Sequence, residues 1–110
     1  MDPLLNSEEI EGVRNQLECE EDFFDLALFF KIFSDETRLR IIQTLAVRSM
    51  CVSDICAVLE LSQSSVSHQL ATLRKMRLVR TTKAGKSVIY ALSDHHIMTI
   101  FSSALEHIKE

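Results

Sequence analysis

The chain has 110 residues, enough for one modest core, with 46% hydrophobic residues and a formal net charge of −4. Two glycines and one proline point to a mainly helical fold, and three cysteines (Cys19, Cys51, Cys56) make no disulfide framework, so a reducing cytoplasm is expected. No apolar run is long enough to cross a membrane, no signal-peptide pattern opens the chain, and no glycine-rich phosphate loop or nucleophile motif speaks for an enzyme.

The charge is distributed unevenly. Residues 1–36 hold eleven acids and two bases, whereas residues 61–93 hold six bases (Arg74, Lys75, Arg77, Arg80, Lys83, Lys86) and no acid. A local block of +6 attracts a polyanion more than the total of −4 repels it.

Residues 1–20 read as an acidic, partly flexible arm, with Ser7-Glu-Glu-Ile capping a short helix, and residues 21–110 as the folded domain. Glu21 to Phe33 is a helix whose Phe23, Leu26, Ala27, Phe29 and Phe30 are too apolar all round for a free surface. Both a core role and an oligomer contact are expected of it. Ser34-Asp35-Glu36-Thr37 starts the next helix, which turns Leu39, Ile41, Ile42, Leu45 and Ala46 inward. After Met50-Cys51, the residues Val52, Ile55, Val58 and Leu59 mark a short helix. Glu60-Leu61-Ser62 is a tight turn with Ser62 as N-cap, and a helix from Gln63 to about Arg77 buries Val66, Leu70 and Leu73 at i, i+4, i+7.

The opposite face of that helix carries Ser64, His68, Ala71 and Lys75, flanked by Ser67 and Thr72. A short helix, a three-residue turn and a helix with this face form a helix-turn-helix unit. Small polar residues can approach base edges, and N–H groups at the helix start can meet a phosphate. The candidate contacts are Gln63, Ser64, Ser65, Ser67, His68 and Lys75. A solvated serine-rich face is the alternative, but such faces usually mix charges, and this one lacks acids.

Two strands follow, Leu78 to Thr82 and Ser87 to Leu92, joined through Lys83-Ala84-Gly85-Lys86 as a hairpin with two lysines at its tip. The fold class is therefore mainly α with a small β-hairpin: a winged helix-turn-helix in which Lys83 and Lys86 add phosphate contacts.

The last helix runs from Asp94 to Glu110. Ile97, Ile100, Phe101, Ala104, Leu105 and Ile108 form its apolar stripe, with Asp94 and His96 at one end and His107 and Glu110 at the other. The histidines point nearly the same way but lie about 16 Å apart along the axis. A metal ion needs donors at about 2.0–2.2 Å, so one helix cannot close this site. Two helices, antiparallel across a twofold axis, would bring opposite ends together in two equivalent sites of two imidazoles and two carboxylates, a set that suits tetrahedral zinc. The plainer alternative is a dimer seam with a few polar caps at its ends. His95 points about 100° away from His96 on a helix and is left out of the site.

The segments Cys51-Val-Ser-Asp-Ile-Cys, Leu61-Ser-Gln-Ser-Ser-Val-Ser-His-Gln-Leu and Leu78-Val-Arg through Tyr90-Ala-Leu resemble the ArsR/SmtB metal-responsive repressors over roughly residues 24–110. The ending Asp94-x-His96-x10-His107-x2-Glu110 is similar to the C-terminal-helix zinc site of the SmtB-like branch. The resemblance implies a homodimer joined through N- and C-terminal helices and bound to operator DNA with an imperfect inverted repeat. Zinc (or cobalt or nickel) at intersubunit sites would favour a conformation with poorer DNA affinity, and linkage would make the antagonism reciprocal. Ligating histidines must be neutral, so affinity is expected to fall as pH drops toward about 6.

One departure concerns thiolates. Relatives that sense cadmium, lead or arsenic use Cys-x-Cys at the helix-turn-helix entry, whereas here Cys51 is followed by Val52 and Ser53. Cys19, Cys51 and Asp54 match parts of a second, non-inducing metal site known in close relatives. The alternatives are a helix-cap role for Cys51 with Asp54 and core packing for Cys56. Two rival functions remain: a thiol-based redox-responsive repressor on the same scaffold, and a winged-helix protein-interaction module recruiting through the acidic arm.

Overall fold

The computed structural model describes residues 1–110 as six helices and one two-stranded hairpin. They form two compact units, Met1–Phe33 and Ser34–Glu110.

The first unit holds α1 (Ser7–Arg14) and α2 (Glu20–Ile32). The cap of α1 is Asn6, and the expected Ser7 is instead its first helical residue. Asn6 Oδ1 accepts from the Glu9 N–H at 2.8 Å while Glu9 Oε1 accepts from the Asn6 N–H at 3.0 Å. This reciprocal box is closed by the residue one position earlier, and asparagine caps as well as serine. In α2, Glu20, Glu21 and Asp22 sit in the first turn and Lys31 in the last, as the helix dipole favours. The core role expected of its aromatic face is not found: Phe23, Phe24, Leu26, Leu28 and Phe30 are exposed, Phe24 to 70%, while Ile32 is buried. Phe29 meets Phe30 and Phe33 edge-on at 5.8 and 5.2 Å.

The second unit runs α3 (Glu36–Val47), α4 (Val52–Leu59), α5 (Gln63–Lys75), β1 (Val79–Ala84), β2 (Ser87–Leu92) and α6 (His96–Lys109). Its core is made by Ile41 and Ile42 of α3, Ile55 of α4, and Val66, Leu70 and Leu73 of α5, all fully buried, with Leu45, Met50, Leu78, Val79 and Ile97 around them. Val58 is exposed, so α4 sends only Ile55 fully inward. Glu60 ends α4 in the left-handed region (φ 56°), and Arg77 follows α5 in the same region (φ 62°). With only two glycines in the chain, side-chain-bearing residues make both stops. Helix α5 accordingly ends at Lys75 with Met76 as its cap, before Arg77.

The strands pair antiparallel from Val79↔Leu92 to Ala84↔Ser87. The loop is therefore only Gly85-Lys86, with Gly85 at φ 64°, the positive first position that a type II′ turn requires. Lys83, expected at the tip, lies within β1 opposite Val88, and only Lys86 is at the turn. A contact unforeseen from sequence anchors the hairpin: Met50 and Tyr90 exchange both backbone hydrogen bonds, at 3.1 and 2.9 Å.

Asp35 is the N-cap of α3, its Oδ1 accepting from the Arg38 N–H at 3.1 Å, and its Oδ2 accepting from Gln69 Nε2 at 3.1 Å. The Arg38 N–H first, and the Gln69 amide second, hold this carboxyl below its usual value of 3.8. Asp35→Ala is expected to cost about 0.5–2 kcal/mol of stability, read as a lower Tm near neutral pH. Because the folded-state value is the lower one, that contribution is complete above pH 3.8 and is lost as pH falls through the folded-state value. The gap between wild type and variant should therefore close only in acid.

Candidate nucleic-acid interface and metal half-sites

Burial of Val66, Leu70 and Leu73 fixes which face of α5 looks outward. Gln63, Ser64, Ser67, His68, Ala71 and Lys75 are exposed, while Ser65 is half-buried. Ser62 Oγ accepts from the Ser65 N–H at 3.1 Å and lies 3.3 Å from Ser64 Oγ. The cap thus consumes the Ser65 N–H, and the first-turn N–H groups left without an acceptor in the chain are those of Gln63 and Ser64. These two are the groups that can face a phosphate. Thr72 Oγ1 donates back to the His68 carbonyl at 3.3 Å, so its hydroxyl is engaged on the helix itself. Lys83 and Lys86 are exposed on the hairpin beyond α5, and Arg80 Nη1 donates to the Ser93 carbonyl at 3.4 Å.

Sequence reasoning missed Gln69. It stands beside the exposed His68 but turns toward α3, where Arg38 Nε donates to its Oε1 at 2.9 Å and its Nε2 donates to Asp35. The available signal was a polar residue on the edge of a buried stripe, with a capping acid and an arginine at the start of the preceding long helix.

The ends of α6 each gather one imidazole and one carboxylate. Asp94 precedes the helix instead of opening it. Its Oδ1 accepts from the His96 N–H at 2.8 Å and lies 3.2 Å from His96 Nδ1. At the other end His107 Nδ1 lies 3.6 Å from Glu110 Oε2. The four side chains are at least half exposed, the histidines to 75% and 86%. His95, set aside on angular grounds, has its ring 4.6 Å from that of His96. Within one chain no three His, Cys, Asp or Glu side chains gather into a metal site. Two-donor ends about 16 Å apart have that property, and their combined N2O2 donor set fits a borderline divalent ion.

The three cysteines are free thiols. Cys19 is the N-cap residue of α2 in the first unit and is exposed. Cys51 is the N-cap residue of α4, where its Sγ–H donates to Asp54 Oδ2 at 3.2 Å and its N–H reaches the same oxygen at 3.4 Å. Cys56 is half-buried.

A short helix, a left-handed turn, a second helix and an antiparallel hairpin define a winged helix-turn-helix protein. The family described as bacterial regulatory proteins of the arsR family matches residues 35–81. A transcriptional repressor SmtB homolog of Synechocystis sp. is 35% identical over 98% of this chain and 82% of its own length. A cadmium resistance transcriptional regulatory protein, a CadC homolog of Staphylococcus aureus, is 34% identical over 78% of this chain and 72% of its own. The crystal structure of the AntR antimony-specific transcriptional repressor superposes with a TM-score of 0.77 at 26% identity, covering 86% of each chain. The chain belongs to the ArsR/SmtB family of bacterial transcriptional regulators.

Since Ser62 supplies the only side-chain cap of α5, Ser62→Ala is expected to destabilise the domain by about 1 kcal/mol, measured as a fall in the denaturant midpoint at unchanged slope.

Proposed function

We propose that the protein is a metal-responsive transcriptional repressor, with zinc as its effector, that binds operator DNA as a homodimer and releases it when metal occupies intersubunit sites. The observation that carries this reading is the pairing of an imidazole with a carboxylate at each end of α6. Asp94 and His96 of one protomer with His107 and Glu110 of its partner supply four donors, and the bound ion would supply the cross-link between them. The outer part of the α6 stripe, where Ile100, Phe101 and Leu105 are half-buried and Ala104 and Ile108 exposed, and the exposed aromatic face of α2 are the apolar surfaces that suit such a dimer. Relatives named for cadmium and antimony support a metal effector. The nitrogen-and-oxygen donors here favour zinc over those softer ions, with cobalt and nickel as the competing occupants.

In this reading residues 21–110 are the DNA-binding and metal-sensing part and residues 1–20 an acidic arm. Gln63, Ser64, Ser65, Ser67, His68 and Lys75 meet the operator, an inverted repeat matching the dimer's twofold axis. Lys83 and Lys86 hold phosphates. Cys19, Cys51 and Asp54 are candidates for a second metal site, for which the Cys51–Asp54 contact is the available support. The work is an equilibrium in the cytoplasm, with no catalytic step. No helix is long and apolar enough to cross a membrane.

Zinc is expected to weaken operator affinity tenfold or more, about 1.4 kcal/mol, for the wild type and to leave His96→Ala/His107→Ala unaffected, at fixed salt. An equal response in both proteins would move the switch elsewhere, and no response in either would leave α6 as a dimer seam. Replacing all three cysteines by serine should preserve the zinc response, whereas a redox switch would lose it. Lys83→Ala/Lys86→Ala should reduce the slope of log affinity against log salt by about 2 per protomer while leaving sequence preference intact.

A further inference from the structure

Asp35, Arg38 and Gln69 form a closed triangle of hydrogen bonds between the start of α3 and the middle of α5. The Arg38 N–H donates to Asp35 Oδ1 at 3.1 Å, Gln69 Nε2 donates to Asp35 Oδ2 at 3.1 Å, and Arg38 Nε donates to Gln69 Oε1 at 2.9 Å. All three side chains are half-buried. Both ends of the Gln69 amide are used, with the donor facing a carboxylate and the acceptor facing a guanidinium. A reversed amide would set oxygen against oxygen and nitrogen against nitrogen, so the triangle admits one orientation.

The aliphatic contacts of Val66, Leu70 and Leu73 hold α5 against the core but are non-directional. They resist separation of the helices more than a small turn of α5 about its own axis. Directional hydrogen bonds from Gln69 to two groups on another helix do resist such a turn. The consequence falls on the next residue, since His68 is about 100° round the same helix turn, on the exposed face with Ser64 and Ser67. With side chains about 5–6 Å from the axis, a turn of about 15° moves their tips by about 1.4 Å. That displacement is enough to break a hydrogen bond to a base edge, while a lysine reaching a phosphate tolerates it.

We propose that Gln69 is a positioning residue for sequence recognition: bridging Asp35 and Arg38, it fixes the axial rotation of α5 and so the register of Ser64, Ser67 and His68 on base edges. The inference rests on the reading of α5 as the DNA-contacting helix.

The test uses the full-length protein, a duplex selected by the wild type from randomised DNA, and a random-sequence duplex of equal length, at one salt concentration. Gln69→Leu is expected to lose tenfold or more in affinity for the selected duplex and less than twofold for the random one. Gln69→Glu alone sets two carboxylates face to face and should lose as much. Asp35→Asn combined with Gln69→Glu again sets a donor opposite an acceptor at every bond of the triangle, the bond between positions 35 and 69 now running from the Asn amide to the Glu carboxylate, and should recover affinity to within threefold of wild type. In a Ser64→Ala/His68→Ala background, Gln69→Leu should cost less than threefold, because the contacts it positions are gone. Equal losses on both duplexes, an undiminished loss in that background, or a double variant no better than Gln69→Glu would each overturn the proposal as a merely structural effect. A wild type that selects no sequence would overturn the DNA-binding reading itself, whereas selection preserved in Gln69→Leu would overturn this inference alone.

Discussion

Much of the second unit follows from one constraint: α5 has a single stripe that can be buried. Val66, Leu70 and Leu73 are wholly removed from water, packed with Ile41, Ile42 and Ile55. Burial of each such side chain is worth about 1.5–3 kcal/mol. Rotating the helix to present another face would replace these residues with serines, a histidine and a lysine, whose buried polar groups would have no partners. The outward face is therefore set by what the core demands, and the residues suited to touching another molecule are those the core rejects. Asp35 and Arg38 then refine by directional bonds what packing leaves loose.

The wing belongs to this same body. Met50 pairs with Tyr90, so the connection between α3 and α4 is joined to the second strand, and the Ser93 N–H donates to the Leu78 carbonyl at 3.0 Å where the hairpin closes. The two-residue loop leaves no slack at the far end. Helix α5 and the hairpin lysines thus sit on one framework, and in the proposed dimer a change in DNA affinity is more readily made by moving whole protomers against each other than by deforming one of them.

Much of the architecture was legible because periodicity survives at short range. Val66, Leu70 and Leu73 announced α5, Ser62 its cap, and the alternation around Gly85 the hairpin. The errors lay where local chemistry had near-equal choices. Asn6 and Ser7 are both good caps, and only the reciprocal reach of Glu9 decides between them. Left-handed Arg77 ends α5 early without the glycine that would have signalled it. In the candidate site, the pairing of Asp94 with His96 and of His107 with Glu110 could be read from spacing within one helix. The Asp35–Gln69–Arg38 triangle spans 34 residues of sequence separation, and no short-range pattern encodes it. The exposed face of α2 was legible as too apolar for solvent, but sequence does not distinguish core from partner surface.

Helix α6 buries one residue, Ile97, in its first turn, and its last turns lie exposed on their way to Ile108. It is a cantilever, clamped at the root beside Asp94 and His96 and carrying His107 and Glu110 at its tip. If these pairs hold metal as proposed, they are placed unequally: Asp94 and His96 stand beside the buried Ile97, whereas His107 and Glu110 stand on turns with no buried residue. Any ordering of the tip on binding would then subtract from the affinity it contributes. A substitution along the outer turns at the exposed Ser103, which is outside the apolar stripe, would raise or lower it through helix propensity. In the proposed sensor, sensitivity would thus be adjustable from a position that is neither donor nor core, leaving the threshold of the response free to drift while its chemistry stays fixed.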